Sequence, residues 1–258
     1  MAASDDLALA LELAGLADEI TLARFRAADL VVETKPDLTP VTEADRRVEE
    51  LVRERLAAAR PDDAILGEEF GDSGEGPRRW IIDPIDGTKN YVRGIPVWAT
   101  LLALEVAGEI EVGVVSAPAL HRRWWASRGG GAFMDDGGST RRLQVSGVHR
   151  LADVQLCLAG IEDWDGIGRL DDALELVRGC WRSRGFGDLW SYMLVAEGAV
   201  DIGLDAEANL WDLAAPKVIV EEAGGTFTDL GGTPRADGGD GIATNGLVHD
   251  AALAIIGR

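Results

Sequence analysis

Long apolar runs and cysteines are scarce in this sequence of 258 residues. No stretch reaches the roughly 18 consecutive apolar residues that a membrane-spanning helix requires. The N-terminal segment MAASDDLALALEL is acidic, whereas a secretion signal would begin with basic residues, and we therefore expect a cytoplasmic protein that does not act at a membrane. The two cysteines, Cys157 and Cys180, are too few for a disulfide framework and are not spaced as a zinc site, so both are predicted to be core thiols.

Basic side chains and histidines are scarce as well. The sequence has 25 Lys and Arg against 45 Asp and Glu, which gives a formal net charge of −20. Such a chain repels nucleic acids and anionic membranes, so we expect a small or cationic partner and no nucleic acid. The three histidines, His121, His149 and His249, lie in loop-like or terminal segments without a paired nucleophile, which argues against a Ser/His/Asp hydrolase.

The composition is otherwise that of a globular protein, with 47% hydrophobic and 27% charged residues. The length exceeds that of a typical domain, but α/β enzymes of this size often fold around one continuous core. We therefore expect a single unit over residues 1–258. It divides into an N-terminal α+β half, about residues 1–145, and a C-terminal α/β half, about residues 146–258, with no repeat and no linker.

Hydrophobic periodicity assigns most of the secondary structure. Apolar residues at helical spacing predict two N-terminal helices, residues 5–27 and 43–60, the second capped by Thr42. Short apolar runs from Trp80 onward, separated by Gly and Pro, predict a mostly antiparallel sheet. In the second half the predicted helices are 170–178, 189–198, 213–223 and a last one ending at 256, and the predicted strands are 200–204 and 241–244.

Acidic side chains recur where a strand ends or a turn begins. The three motifs are LGEE at 66–69, DPIDGT at 83–88 and LWD at 210–212. Asp83 and Asp86 bracket a proline, which restrains the backbone so that both carboxylates and the Ile85 carbonyl can converge on a hard cation. We therefore predict a shared metal site. Its candidate ligands are Glu68, Asp83, Asp86 and Asp212, with Glu69 and Asp45 as further contributors.

Simpler interpretations of these residues remain open. Acidic residues at loop ends are commonly just solvated. Asp212 is also suited to cap a helix that begins at Leu213, and Asp45 to compensate a helix dipole from the first turn. A capping role and a ligand role are compatible for both residues, so the capping interpretation does not exclude the metal site.

Six carboxylates gathered in one place would repel a phosphate unless cations neutralised them. Mg²⁺ prefers oxygen ligands and binds phosphoryl oxygens through its remaining coordination positions, and water bound to it becomes a better nucleophile. Gly87 and Thr88 follow the ligands directly, and their backbone N–H groups can cradle phosphate at the start of a helix, where glycine allows close approach. The pattern favours direct metal-assisted hydrolysis of a phosphate ester, without a covalent intermediate.

Four segments together resemble the inositol monophosphatase superfamily. They are TEAD at 42–45, GEE at 67–69, WIIDPIDGTKNYVRGIP at 80–96 and LWDLAAPKVIVEEAGG at 210–225. The resemblance extends over nearly the whole chain. It implies an α/β fold, the layered αβαβα sandwich of the inositol monophosphatase and fructose bisphosphatase type, in a homodimer. It also implies hydrolysis of a phosphate monoester with two or three Mg²⁺ ions per active site.

The resemblance also implies roles for individual residues. The metal ligands fall on Glu68, Asp83, the Ile85 carbonyl, Asp86 and Asp212. Thr88 and Asp45 match the pair that orients the attacking water, and Glu69 matches a residue that assists a loosely bound metal. Gly87 and Thr88 match the phosphate cradle. The full predicted substrate-binding set is Glu68, Asp86, Gly87, Thr88, Asp188, Asp205 and Asp212.

The second half is expected to select the substrate. The runs DGTKNYVRGIPVWATLLALE at 86–105 and RGFGDLWSYMLVAEGAVD at 184–201 are similar to the histidinol-phosphatase branch of histidine biosynthesis. Asp188 stands where inositol-type enzymes carry a small residue, and a carboxylate there can pair with an amine or imidazole. Capping of a helix at Leu189 is an equal alternative. Asp205 or Glu207 matches the acidic residue that contacts substrate hydroxyls in the inositol enzymes, with Asp205 favoured.

Three functional hypotheses follow. The first is histidinol-phosphate hydrolysis, and the second is a broad inositol-1-phosphatase with the same Mg²⁺ chemistry. The third is a binding or regulatory protein on the same fold, against which the complete ligand set argues. Weaker candidates for substrate contacts are Lys89 and Arg93 near the cavity mouth, and Trp164 and Trp190 as platforms for an imidazole; solvent exposure and core packing are the simpler interpretations of these four residues.

Overall fold

The computed structural model describes residues 2–36 and 38–257, with side chains from Asp5 onward. In this part of the chain the helices are α1 (Ala2–Arg24), α2 (Glu43–Ala59), α3 (Thr88–Arg93), α4 (Ile161–Gly166), α5 (Leu170–Gly179), α6 (Asp188–Ala196), α7 (Leu210–Glu222) and α8 (His249–Ile256). The strands are β1 (Val32–Thr34), β2 (Pro40–Thr42), β3 (Ala64–Gly67), β4 (Gly71–Ser73), β5 (Arg78–Asp86), β6 (Ala99–Val106), β7 (Glu109–Ala117), β8 (Arg122–Ser127), β9 (Gly131–Asp135), β10 (Thr140–Arg142), β11 (Gln155–Leu158), β12 (Arg182–Arg184), β13 (Ile202–Asp205), β14 (Thr226–Thr228) and β15 (Gly241–Thr244).

The strands form two large sheets and one small hairpin, β1–β2. The first sheet has the order β10-β9-β8-β7-β6-β5-β3-β4 and is antiparallel except for the β3–β5 pair, which confirms the predicted mostly antiparallel sheet. The second sheet has the order β12-β11-β13-β15-β14, with β11 parallel to both of its neighbours. The first sheet ends at Arg142 and the second begins at Gln155.

Three hydrophobic clusters hold five layers together. In the first, α1 and α2 pack on one face of the first sheet through side chains such as Leu13, Val52 and Trp80. In the second, α6 and α7 lie between the two sheets. In the third, α4, α5 and α8 cover the outer face of the second sheet. This is an α/β sandwich with the expected αβαβα layering, and none of its described helices is long and apolar enough to cross a bilayer.

Two helices begin with a reciprocal cap that the sequence only partly predicts. The α2 helix starts after Thr42, as expected, with Asp45 completing a capping box. The α7 helix starts at Leu210, three residues earlier than predicted, and its cap is Asn209. The expectation that Asp212 caps a helix starting at Leu213 is therefore wrong. Asp212 is instead the third helical residue, and its carboxylate accepts a hydrogen bond from the Asn209 backbone N–H at 2.7 Å.

A β-bulge interrupts β5 between Asp83 and Asp86. Asp83 pairs with Leu101 and Asp86 pairs with Ala99, so three steps along β5 match two steps along β6. In a regular strand, residues three apart point to opposite faces of the sheet. The extra residue of the bulge cancels this alternation and lets both carboxylates reach the same side. The Pro84 carbonyl, which loses its strand partner there, accepts a hydrogen bond from Thr100 Oγ1 at 2.8 Å.

The contact between β7 and α7 depends on Gly113. A Cβ atom on this residue would lie 2.6 Å from Val218 Cγ1 and 2.7 Å from the Ala215 carbonyl oxygen. No side-chain rotation relieves the second contact, because the oxygen belongs to the helix backbone. The α7 helix carries Asp212, so this close packing also sets the distance between Asp212 and the first sheet.

We predict that Gly113→Ala destabilises the protein by about 1–3 kcal/mol, because overpacking must push α7 away from the sheet. Urea unfolding followed by circular dichroism measures the loss. Gly138→Ala is the matched control, since a Cβ there meets no atom within 4 Å, and its effect should stay within about 0.5 kcal/mol. Equal stability of the two variants would contradict the close packing of α7 on β7.

Candidate active site

The acidic residues of β5 and α7 meet at the edge of the first sheet. Asp83, Asp86 and Asp212 each offer a carboxylate oxygen, and these three oxygens lie within 4.8 Å of one another. Asp83 is 1% exposed, and its Oδ1 atom has no hydrogen-bond partner among the described residues. Asp86 Oδ2 accepts a hydrogen bond from the Leu189 backbone N–H at 2.7 Å, which ties this ligand to the start of α6.

This carboxylate cluster has the properties of a site for hard cations. Burial raises the pKa of Asp83 and Asp86 well above the ordinary range, and neighbouring negative charges, Glu68 first for Asp83 and Asp188 first for Asp86, raise it further. Burial also raises the pKa of Asp212, to about 6. Only carboxylate oxygens converge here, and one of them, the buried Asp83 Oδ1, has no hydrogen-bond partner among the described residues. A divalent cation such as Mg²⁺ would both neutralise the charges and satisfy that oxygen.

Asp45 and Thr88 lie beside the cluster as a hydrogen-bonded pair. Thr88 Oγ1 donates to the Ile85 carbonyl at 2.9 Å and lies 3.4 Å from Asp45 Oδ1. The other oxygen of Asp45 is occupied by the α2 cap, where it accepts from the backbone N–H and the hydroxyl of Thr42. Burial raises the pKa of Asp45 to about 7, against the hydrogen bonds from Thr42, which lower it. Asp45 is therefore suited to exchange a proton near neutral pH.

Glu68 and Glu69 lie in the turn between β3 and β4 and face a lysine. Lys35, which follows β1, places its Nζ 2.7 Å from Glu68 Oε1 and 2.6 Å from Glu69 Oε1. The two carboxylates raise the pKa of Lys35 although its partial burial lowers it, so the ammonium group stays charged. The Lys35 ammonium takes the position of a cation between the two glutamates, and Glu68 is not part of the three-residue cluster.

The predicted phosphate cradle has the expected backbone. Gly87 has φ +82° and directly precedes α3, which begins at Thr88. A Cβ at Gly87 would lie 3.0 Å from the Val97 carbonyl oxygen and 3.1 Å from Asp188 Oδ2, in a conformation that L-residues avoid. Only glycine fits this position without a shift of the surroundings.

A cavity of about 600 Å³ extends from the cluster into the second half of the chain. Among the described residues that line it, the acidic ones are Asp86, Asp163, Asp188, Asp205, Glu207 and Asp212. Lys89 is the one basic residue in this lining. Even if metal ions neutralise Asp86 and Asp212, the other four acidic residues, here called the acidic wall, keep an excess of negative charge. The cavity therefore favours a molecule that carries both a phosphate and positive charge.

Two of the predicted substrate-binding residues belong to that acidic wall. Asp188 is the first residue of α6, with φ +45° and with Gly187 in the cap position, and its Oδ2 accepts a hydrogen bond from Asn90 Nδ2 at 2.8 Å. The roles of Asp188 in capping and in substrate selection both stay predictions. Asp205, at the end of β13, is 7% exposed, and burial raises its pKa to about 7, although the neighbouring Tyr192 hydroxyl lowers it.

The weaker candidates divide between the cavity and the core. Lys89 is exposed and lines the cavity, whereas Arg93 does not. Trp164 is fully buried in the third hydrophobic cluster, and Trp190 packs against Phe186 with ring centroids 5.6 Å apart, so core packing accounts for both tryptophans. Cys157 is buried as predicted, while Cys180 is only half-buried.

Comparison with known proteins shows the family of this chain. The sequence pattern of the Inositol monophosphatase family matches residues 3–256. The chain belongs to this family. It is 54% identical to a histidinol-phosphatase of Streptomyces coelicolor over 98% of this chain and 97% of that protein. It is equally similar, 54%, to a histidinol-phosphatase of Mycobacterium tuberculosis, with 96% of each chain covered.

Solved structures of inositol monophosphatase family members have the same fold. The Thermotoga maritima inositol monophosphatase superimposes with a TM-score of 0.86 at 33% sequence identity, over 98% of this chain and 96% of that one. The layered sandwich inferred from the sequence resemblance is therefore confirmed, and so is membership in the family.

Several residues at the site of this inositol monophosphatase family member were not predicted from its sequence. Lys35 and Asn90 carry no pattern that distinguishes them from other polar residues of loops and short helices. Asp163, in α4, is one of many acidic residues in a chain of net charge −20. Glu49 did leave a signal, because it falls on the apolar side of α2 between Val48 and Val52, where a charged residue is unexpected.

Buried carboxylates at the site predict a characteristic pH dependence. Asp45, Asp205 and Asp212 have pKa values of about 7, 7 and 6, above the ordinary 3.8. A raised folded-state pKa contributes stability that is fully present below the ordinary value and is lost as pH rises through the folded-state value. The metal-free protein should therefore lose stability as pH rises from about 4 to about 7, and Mg²⁺ should restore the part that comes from carboxylates close to the proposed metal site.

We expect the gain in Tm on adding Mg²⁺ to be at least about 4 °C larger at pH 8 than at pH 5.5, corresponding to roughly 1–2 kcal/mol for a chain of this size. Scanning calorimetry with and without Mg²⁺ at each pH measures it. Because each comparison with and without Mg²⁺ is made at one pH, the effect of His249 on stability cancels. Burial lowers the pKa of His249, so its effect on stability has the opposite direction as pH falls below its ordinary value of 6.5. An equal gain in Tm on adding Mg²⁺ at both pH values would contradict this interpretation.

Proposed function

We propose that the protein is a Mg²⁺-dependent phosphomonoesterase that hydrolyses L-histidinol phosphate to L-histidinol and phosphate. The observation that carries the proposal is the charge of the cavity lining. Asp86 and Asp212 of the carboxylate cluster line the cavity together with the acidic wall, which includes Asp188 and Asp205. Histidinol phosphate has a phosphate at one end and an ammonium and an imidazole at the other. The similarity to histidinol-phosphatases supports the same assignment.

The residues proposed to hold two or three Mg²⁺ ions are Glu68, Asp83, the Ile85 carbonyl, Asp86 and Asp212. When bound, Mg²⁺ would neutralise these carboxylates, bind phosphoryl oxygens and make water easier to deprotonate. Glu69, in the same turn as Glu68, assists a less tightly bound ion. The ion pairs of Lys35 with both glutamates must open or be shared when such an ion binds.

The chain itself supplies the proton acceptor and the orientation. The Thr88 hydroxyl turns its proton from the Ile85 carbonyl to Asp45 Oδ1, 3.4 Å away, and takes up a proton of the attacking water in exchange. With a pKa of about 7, Asp45 can accept this proton and later release it to solvent. The backbone N–H groups of Gly87 and Thr88 hold the phosphate, and the histidinol oxygen leaves toward Asp188 and takes a proton from solvent.

Substrate selection is assigned to the acidic wall. Asp188 and Asp205 pair with the ammonium and the imidazolium of histidinol, and charge-assisted hydrogen bonds of this kind are about twice as strong as neutral ones. Asp163 and Glu207 add negative potential at the cavity wall. Inositol 1-phosphate lacks these cations, so the same carboxylates could accept hydrogen bonds only from its uncharged hydroxyl groups. We propose that the enzyme acts in the cytoplasm as a homodimer.

Substrate preference is the first test of this proposal. We expect saturating Mg²⁺ to support phosphate release from histidinol phosphate with a kcat/KM at least about tenfold above that for inositol 1-phosphate, a difference of roughly 1.4 kcal/mol. Asp86→Asn should abolish the activity toward both. Higher kcat/KM for inositol 1-phosphate would keep the metal chemistry and reject the substrate. No hydrolysis of any phosphate monoester would favour a binding protein on this fold.

Asp188 separates recognition of the substrate from chemistry. We predict that Asp188→Asn raises KM for histidinol phosphate about tenfold or more, as expected when a charged partner is lost, with less than about threefold change for inositol 1-phosphate. The asparagine oxygen can still accept the hydrogen bond from Asn90, so the fold of this corner is retained. Asp171→Asn, an exposed change on α5, is the control. Equal losses on both substrates would remove Asp188 from discrimination.

A further inference from the structure

Glu49 is a buried carboxylate that none of the proposed catalytic steps uses. It lies in the second turn of α2, and its side chain is 0% exposed. Its Oε2 accepts a hydrogen bond from the Glu69 backbone N–H at 2.8 Å, and its Oε1 accepts one from the Phe70 backbone N–H at 3.2 Å. The carboxylate therefore binds the turn that carries Glu68 and Glu69, and it does so through the backbone.

Arg53, one helical turn later, connects Glu49 with the far side of the same turn. Its Nε donates to Glu49 Oε1 at 2.8 Å. Its Nη1 donates to Ser73 Oγ at 2.8 Å, and its Nη2 donates to the Gly71 carbonyl. Since Gly71 and Ser73 belong to β4, the two α2 side chains hold both the turn and the strand that follows it.

Gly67 shows how closely Glu49 approaches this segment. Gly67 is the last residue of β3 and pairs with Gly71 across the turn. A Cβ atom at Gly67 would overlap the Glu49 carboxylate, which three hydrogen bonds hold in place and which therefore cannot swing aside. The glycine and the glutamate thus form a matched pair, and the glycine immediately precedes Glu68.

Electrostatics alone would disfavour a carboxylate at this place. Burial raises the pKa of Glu69, Lys35 lowers it, and the negative charges of Glu68 and Glu49 raise it again. Glu49 thus makes it harder to keep Glu69 ionised. Its contribution must be geometric, because two converging backbone N–H donors and one guanidinium need an acceptor with several lone pairs in one plane, which a carboxylate supplies.

We propose that Glu49 is a positioning residue for the metal site: together with Arg53 it fixes the 68–70 turn so that Glu68 and Glu69 reach the carboxylate cluster. The inference rests on the proposed metal site. The Glu68 backbone N–H donates a hydrogen bond to the Ile82 carbonyl at 3.1 Å, and Ile82 directly precedes Asp83 in β5, so the turn is attached to the strand that carries the cluster. Without the hydrogen bonds of Glu49 and Arg53, the repulsion between the two adjacent glutamates and the cluster would move the turn outward.

The test is Glu49→Gln, measured as Mg²⁺ affinity by isothermal titration calorimetry without substrate. The glutamine keeps the size of the side chain, but its amide nitrogen cannot accept a hydrogen bond. We expect about tenfold weaker Mg²⁺ binding, and a loss of kcat/KM that high Mg²⁺ largely restores. The matched control is Asp6→Asn, which weakens another buried carboxylate paired with arginines, Arg60 and Arg78, away from the turn. It should lower Tm without changing Mg²⁺ affinity.

Each outcome decides the proposal. Unchanged Mg²⁺ affinity in Glu49→Gln, with a fall in Tm like that of Asp6→Asn, would show a merely structural role. If Glu49→Gln does not fold, the variant Arg53→Lys decides instead. A lysine keeps the charge but cannot hold Glu49, Gly71 and Ser73 together, so Mg²⁺ affinity should fall about threefold. An unchanged Mg²⁺ affinity in this variant would overturn the proposal. If the unmodified protein itself binds no Mg²⁺, the proposed function fails rather than the positioning role of Glu49.

Discussion

Repulsion among buried carboxylates is the constraint on which the rest of this structure depends. Asp83, Asp86 and Asp212 bring their oxygens within 4.8 Å of one another, with Asp83 fully buried and Asp212 half-buried. Two like charges about 4 Å apart repel by roughly 4 kcal/mol even at an effective dielectric constant of 20. Such a group persists only if the backbone around it is fixed by other interactions and if cations compensate the charge when the groups are ionised.

The fold fixes that backbone from three directions. The bulge in β5 turns Asp83 and Asp86 to the same side of the sheet. The capping boxes of α2 and α7 use one oxygen of Asp45 and one of Asp212, which leaves the second oxygen of each for the site. The two capping boxes therefore stabilise the helices and orient the carboxylates of Asp45 and Asp212 at once.

The same negative charge serves two purposes in the proposed reaction. On the side of the first sheet it attracts the metal ions, which neutralise the carboxylates so that a phosphate can bind. On the side of α6 and β13 it attracts the cationic end of the substrate. Asp86 joins the two parts, because one of its oxygens is held by the backbone of α6. Under the proposed function, movement of α6 by a substrate bound at Asp188 would displace a proposed metal ligand.

The sequence by itself determined most of the helices, fewer than half of the strands and the acidic motifs, because hydrophobic periodicity and runs of local residues report on structure within a few turns of chain. The layered fold was implied by the resemblance to the inositol monophosphatase superfamily. The sequence placed Asp83 and Asp86 together because they are three residues apart with a proline between them. Only the tertiary structure decided how Glu68 and Asp212 stand relative to that pair, and that Lys35, Glu49 and Asp163 surround the site. Those residues are separated by tens of positions along the chain, and their contacts depend on how α2, α7 and the two sheets pack, which no local pattern encodes.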